Sequence, residues 1–376
     1  MGKLSVGIVG GGVGGLCAAI ALRERGHEVM VFEQATRYGR VGADINLTPN
    51  AVRALDGLGI GDALRRTAAR TTHRISRTWD TGAETSRIPM GDEAEKRYGA
   101  PQLTTHRADL LTALEDRLPA EALTLGMRVT GVSQTAEKAF LEAGAERFAF
   151  DALVGADGIH SLARTALFGP ERPHYTGLVA FRGVIPRAKV AHLPNLDAFT
   201  KWWGPSPDSQ IVTFPLLRGE EIFVFATIGQ PDWTHESWTE PGDPKEMQAA
   251  YAGYHPEARA LVDACDVVMK SALLVRDPLP VWSQGRISLL GDACHPMTPF
   301  MAQGACMAVE DGVMLARALE GVGPNEAPAA LQRYENSRRE RTARVQIGSR
   351  GNEWLREGGN VDWLYGYNVW QAELAA

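Results

Sequence analysis

The segment LSVGIVGGGVGGLCAAIALRERGHEVMVFEQ, residues 4–34, decides the fold. Its first 19 residues, Leu4 to Leu22, carry no charge, so it reads either as an export or membrane segment or as a buried strand, turn and helix. The membrane reading fits poorly: six of those residues are glycine, only Lys3 precedes them as a charge, and a patterned helix follows where a cleavage site would be needed. The buried reading is orderly. LSVGIV is a continuous apolar run suited to a strand covered on both faces of a parallel sheet. LCAAIALRERG has helical composition and stops at Gly26, a residue at ease in the left-handed position after a helix. EVMVFEQ supplies a second strand, so residues 4–34 are predicted to form a right-handed βαβ unit.

Gly10, Gly12 and Gly15 satisfy G-x-G-x-x-G between that strand and helix, with Gly14 beside them. One glycine permits the tight turn, one lets the backbone approach a pyrophosphate, and one lets the helix pack on the sheet. The helix start then presents unpaired N–H groups and the positive end of its dipole to phosphate. Glu33, 18 residues beyond Gly15, ends the second strand, where its carboxylate can accept both hydroxyls of an adenosine ribose and would repel a 2′-phosphate. A dinucleotide site follows, without its identity; the bland reading is a glycine-rich turn that binds nothing.

The 376 residues predict one large or two joined domains. A net charge of −6 gives no footprint for nucleic acid, and no further window reaches the length of a spanning helix, so neither nucleic acid nor membrane is expected as a partner. Cys17, Cys265, Cys294 and Cys306 are too far apart for a C-x-x-C site and read as free thiols of a cytoplasmic protein. A helix is predicted over TPNAVRALDGLG (48–59), capped by Thr48 with Pro49 at its first position, and another over 105–118. From about 174 to 230 the pattern changes to short aromatic segments, LVAFRGVIP, DAFTKWWG, QIVTFPLL and EIFVFATIG, which predict an antiparallel sheet inserted into the first fold. Helices return over 246–265, a buried strand over GRISLL, and helix over most of 303–350.

Two later segments narrow the cofactor. GADGIHS (155–161) follows a buried strand and sets Asp157-Gly158 at a turn before a helix. GRISLLGDACHPMTPFMAQGACMAVEDG (285–312) has a strand ending in Gly291-Asp292, a proline-rich loop, and a helix starting near Gly304-Ala305. In order and spacing, these three motifs resemble the group A flavin-dependent aromatic hydroxylases, and the resemblance covers nearly the whole chain. It implies an α/β fold: a Rossmann-like FAD-binding domain in two parts (1–173 and 276–376, the second including C-terminal helices) with a β-sheet substrate lobe (174–275) inserted. It implies FAD as cofactor, with its ADP moiety on the first motif. Asp157 would serve FAD and NAD(P)H, and Asp292 the ribityl region. Arg107 would reach the pyrophosphate or ribityl chain, Val129 would make a backbone contact near the adenine, Pro299 would lie by the flavin C4a, and Gly304 and Ala305 would face the pyrimidine. Arg107 as a helix-cap ion pair and Asp157 as a helix cap remain open readings.

The resemblance also implies the chemistry. NADH or NADPH reduces FAD, O₂ adds to give the C4a-hydroperoxide, and a small aromatic ring is hydroxylated without metal or protein nucleophile. Asn46, Arg182 and Pro299 are the candidate catalytic residues. Asn46, Lys201, Trp203, Ser209, Thr213, Phe300 and Met301 are the candidate substrate residues, with Phe300 or Trp203 against the ring and a cation on a carboxylate; Arg182 contacting the flavin is the other option. KWWG, GDACHPM, MAQGACMAVED and DWLYGYNVW resemble hydroxylases of the salicylate and 6-hydroxynicotinate type, which typically hydroxylate the carboxylate-bearing carbon and release CO₂. The 6-hydroxynicotinate type carries histidines where this chain has Asn46 and Phe300. A phenolic benzene carboxylate is therefore the first expectation and a hydroxypyridine the second, with a flavin-dependent reductase on the same scaffold as the competitor. His295 is expected as a structural partner, and a homodimer through the C-terminal helices is left open.

Overall fold

The structure is a computed structural model describing residues 2–39, 44–233, 235, 240–351 and 354–376. The βαβ unit forms as predicted: β1 (Ser5–Val9), α1 (Val13–Glu24) and β2 (Glu28–Glu33), with Gly26 in the left-handed region. β1 lies inside a six-stranded sheet whose order is Ser283–Gln284, Ile287–Leu289, Ala152–Gly155, β1, β2, Leu123–Leu125. All neighbours are parallel except the first pair. Both faces are covered, which explains the apolar strands: Val6, Ile8, Val31 and Val154 are fully buried. Helix Gly304–Leu319 packs along α1 and carries helix Ala327–Arg350 on its other side.

Register delivers the motifs to one edge. Val9 pairs with Phe32 and with Gly155, and Gly155 with Leu289, so Gly10, Glu33, Asp157 and Gly291-Asp292 all emerge at the carboxyl ends of adjacent strands. That is the crevice where open α/β sheets bind ligands.

The lobe is an eight-stranded sheet centred on His174–Pro186, Glu221–Gly229, Gln210–Leu216 and Phe199–Trp203. It is antiparallel throughout the 174–275 stretch. Two further strands, His73–Thr78 and Glu84–Pro89, come from residues assigned by sequence to the first part of the FAD-binding domain, and His73–Thr78 joins Phe199–Trp203 in parallel. One face of this sheet packs on helices Pro244–Ala250 and Pro256–Asp263 through Trp202, Ile211, Val224, Met247 and Leu261. The other face turns toward the FAD-binding part. The 105–118 helix is shorter than expected: residues 103–106 form a strand paired with Asp44–Leu47, and helix begins at Arg107.

Candidate active site

The four motif glycines divide by what a Cβ would meet. On Gly10, at φ +102°, it would fall 2.4 Å from the Ala156 carbonyl oxygen; on Gly15, 2.1 Å from the Gly10 carbonyl oxygen; on Gly14, 2.4 Å from the Leu290 side chain. These three are steric necessities of the turn and of α1 packing. Gly12 is different. It caps α1 without any side-chain cap, and its Cβ would meet only the Arg107 guanidinium at 3.7 Å. Open space between a bare helix start and an exposed arginine is the cradle a pyrophosphate needs.

Glu33 accepts hydrogen bonds from the backbone N–H of Gly11 (2.7 Å) and of Ala35 (2.8 Å), one on each oxygen. Each oxygen retains a lone pair for a ribose hydroxyl. Val129 packs against the apolar cluster that includes Phe32, the residue before Glu33 on β2.

At the other end, Asp292 sits in a single helical turn, Gly291–Ala293, with its carboxylate open to the cleft although protein surrounds it. Desolvation raises its pKa, and His295 and Arg107 partly offset that. A Cβ on Gly304 would lie 3.9 Å from Asp292 Oδ1, so the G-D turn and the start of helix Gly304–Leu319 face each other. Gln303 precedes that helix without a side-chain cap, leaving the first N–H groups near Gly304 and Ala305 available to an electron-rich edge. Pro299 is exposed to the same cleft.

What holds this end together was not read from sequence. Asp311 binds His295 Nε2 (2.5 Å), the Gly291 N–H (3.2 Å) and Arg338 Nε (2.7 Å); Glu310 binds Arg338 Nη1 (2.7 Å), Arg341 and Asn50; Asn50 and Thr48 bind Gln303. Arg338, Glu310 and Asp311 are fully buried. Burial alone would raise both carboxyls; Arg341 and Arg338 beside Glu310, and His295 and Arg338 beside Asp311, outweigh it and hold both below the usual range. His295 is therefore a structural partner, as expected. The signal was present as Glu310-Asp311 facing Arg338 and Arg341, three apart on one helix.

Asp157 takes the helix-cap role that the sequence left open. Its carboxylate takes the Ser161 hydroxyl (2.5 Å) and the N–H groups of Leu162 (2.7 Å) and Ala163 (3.1 Å), so it caps helix Leu162–Phe168. Burial raises its pKa and those three bonds oppose the rise.

The substrate face follows from strand pairing. Arg182 is paired with Phe225, Phe225 with Val212, Val212 with Lys201, and Lys201 with Ser76, so all five side chains share one face. At about 4.8 Å per strand, Arg182 and Lys201 stand roughly 14 Å apart along this row. Phe300 packs onto Phe225, Ala180, Leu178 and Leu273, which puts the Pro299–Met301 turn on the same side. Lys201 Nζ lies 3.6 Å from the Trp203 ring centroid and 5.6 Å from that of Phe300. Asn46 accepts from Gln102 Nε2 (2.8 Å), and among the described residues its buried amide nitrogen has no hydrogen-bond partner. Arg182 binds the Ser271 hydroxyl (3.0 Å) beside Asp44; burial lowers Arg182 to about 10 and raises Asp44 to about 7.

Three expected substrate residues lie elsewhere. Thr213 pairs with Thr200, next to the Trp202–Ile211 pair, so the two-residue period turns it toward the helical layer. Ser209, of the same parity, binds the Tyr254 hydroxyl (2.6 Å) in that layer. Met301 is directed into the FAD-binding core against Gly348. Sequence reading missed Gln210, which faces Trp203 across the strand pair and whose buried carbonyl oxygen lacks a hydrogen-bond partner among the described residues.

The sequence profile of the family described as FAD binding domain matches residues 3–348. The chain is 41% identical to 6-hydroxynicotinate 3-monooxygenase of Bordetella bronchiseptica, covering 99% of this chain and 97% of that one. It is 36% identical to 3-hydroxybenzoate 6-hydroxylase of Polaromonas naphthalenivorans, covering 97% and 96%. A salicylate hydroxylase substrate complex superposes with a TM-score of 0.86 at 26% identity, covering 100% of this chain and 99% of that one. With the phosphate cradle, the ribose acid and the G-D turn in one crevice, the chain belongs to the FAD-binding family of group A aromatic hydroxylases, and it is an FAD-dependent monooxygenase of that family.

Proposed function

We propose that the protein hydroxylates a small phenolic aromatic carboxylate with O₂, using NADH or NADPH as reductant. FAD, when bound, carries the electrons from the nicotinamide and delivers the oxygen atom. The residues of this chain do the rest. Gly12, Arg107 and Glu33 hold the ADP end, and Asp292, Gly304 and Ala305 the ribityl and pyrimidine end. Phe300, Phe225 and Val212 provide an apolar floor that excludes water from the ring.

The observation that carries this reading is the row from Arg182 to Lys201. Two cationic side-chain types flank an apolar floor on the face toward Pro299, a layout suited to a flat ring bearing acidic substituents. A pyridine ring is the second reading. It is supported by the 6-hydroxynicotinate 3-monooxygenase likeness and by the open donor of Asn46 and acceptor of Gln102, which suit a ring nitrogen and its lactam carbonyl.

Salicylate, 3- and 4-hydroxybenzoate and 6-hydroxynicotinate, each followed for NADH and NADPH loss, O₂ uptake, product mass and CO₂, test the reading together. One acid is expected to stimulate nicotinamide oxidation and gain one oxygen atom; accompanying CO₂ marks hydroxylation at the carboxylate-bearing carbon. Stimulated oxidation that yields peroxide alone with every acid would refute it. Reduction of an alternative acceptor without O₂ uptake would assign a reductase.

A further inference from the structure

We propose that Lys201 is the proton acceptor of the site: its amine takes the phenolic proton of the bound ring and holds it as an ammonium, leaving the phenolate that oxygen transfer needs. This rests on the phenolic reading above. The O–H bond of the phenol breaks, an N–H bond forms on Nζ, and no electrons change owner.

Position is the first argument. Lys201 lies on the row that faces the FAD-binding part, with Nζ within 5.6 Å of the Phe300 ring, the residue next to Pro299. Side-chain chemistry is the second. Arg182, on the same row, does not give up its proton in a working range, and Asn46 has no basic atom. His295 is tied to Asp311, and His106 to Glu221 at 2.7 Å. Asp44 is the competitor, since it stands beside Arg182 and burial brings it to about 7.

The surroundings of Lys201 allow both of its forms. Only 2% of the residue is exposed, and desolvation, with the like charge of Arg74 stacked on Phe199, drives the amine toward neutrality. The Trp203 face at 3.6 Å favours the ammonium once a proton arrives. Among the described residues, Arg356, 5.8 Å from the Trp203 ring, and Arg182 with Asp44 farther along the sheet also bring charge to this face. An arginine at position 201 would remain charged, and a carboxylate would repel the phenolate. Unlike arginine, lysine can accept the proton and then neutralise the product anion.

The test uses the oxidised FAD-loaded protein and ultraviolet difference spectra of bound 3-hydroxybenzoate, 4-hydroxybenzoate and 6-hydroxynicotinate against pH. In the unchanged protein the ligand is expected as its phenolate, with an ionisation midpoint about 1 to 3 pH units below that in Lys201→Met. Binding near neutrality should release no proton to a weakly buffered indicator. Lys201→Arg, already charged, should also bind phenolate but release one proton per ligand. Lys201→Met should lower kcat by about 10²–10⁴ and regain activity as pH approaches the phenol's own pKa. Asp44→Asn should leave the midpoint in place. A ligand that is hydroxylated yet bound as neutral phenol, a midpoint unchanged in Lys201→Met, or one that moves with Asp44→Asn would overturn the proposal while leaving the phenolic reading intact. A panel in which nothing binds or is hydroxylated would overturn both.

Discussion

The two ends of the cleft are built by different rules. At the phosphate end, the glycine loop and Glu33 lie within 30 positions of one another, with Arg107 joining them from farther along the chain, and the glycine roles follow from what a single added carbon would strike. At the ring end, Arg182, Lys201, Val212 and Phe225 meet only because four strands pair in one register. Local sterics is written in short words of sequence, whereas a shared sheet face is written in parity across distant segments, and a slip of one residue reverses it.

The largest effect is expected where the G-D end of the cleft is braced. Arg338→Met leaves Glu310 and Asp311 buried without their shared cation, and should cost about 3–5 kcal/mol in denaturant unfolding. The same pair sets an acid limit. Both carboxyls are held below their ordinary pKa, so their contribution is complete above about pH 5 and falls away as pH drops through the folded values. Stability measured from pH 7 to 3 should decline on that limb in the unchanged protein and be flatter in Arg338→Met; equal slopes would show that the network does not set acid stability.

Next in size is a contrast within the glycine loop. Gly15→Ala forces a carbon to 2.1 Å from a carbonyl oxygen and should cost roughly 1–3 kcal/mol of stability together with FAD. Gly12→Ala meets open space, so its unfolding should shift by less than about 0.5 kcal/mol. FAD affinity should still fall about tenfold or more, a loss of about 1.4 kcal/mol, as the backbone is held off the pyrophosphate. If both substitutions lose stability equally, Gly12 is steric too and the cradle assignment fails.

The smallest effect sharpens the comparison at the ring end. Thr213→Val, on the helical side of the sheet, should change kcat/KM less than about threefold. Trp203→Leu, on the Lys201 side, should lower it at least about tenfold. A larger loss from Thr213→Val would mean that the substrate reaches the other face.

The βαβ unit, the glycine spacing, Glu33 and the G-D turn were legible because each is written in one short segment, although Gly10 and Gly14 meet Ala156 and Leu290, which only the fold brings to them. Lys201, Trp203 and Phe300 were chosen from the same lobe strands and 298–302 loop as Ser209, Thr213 and Met301, and strand parity and packing put the last three on other faces. Composition could say that a strand was aromatic and polar; only its partners say which half of it looks at the cofactor. At Asp157 the sequence left two readings side by side. A carboxylate before a helix serves a ligand or the helix itself, and here three donors from residues 161–163 take it. The Glu310-Asp311 and Arg338 network escaped because a charged helix face reads as solvated until another helix is laid over it.

The pair of strands at residues 73–89 gives the lobe a history as well as a shape. They leave the ribosome long before their partner Phe199–Trp203, and at 5–20 residues per second the roughly 110 intervening residues take about 5 to 20 s. Throughout that interval the hairpin exposes an unpaired edge. The inserted lobe therefore cannot be lifted out as a cassette, and the newborn chain is most open to mispairing with its own kind before the strands that complete this sheet have been made.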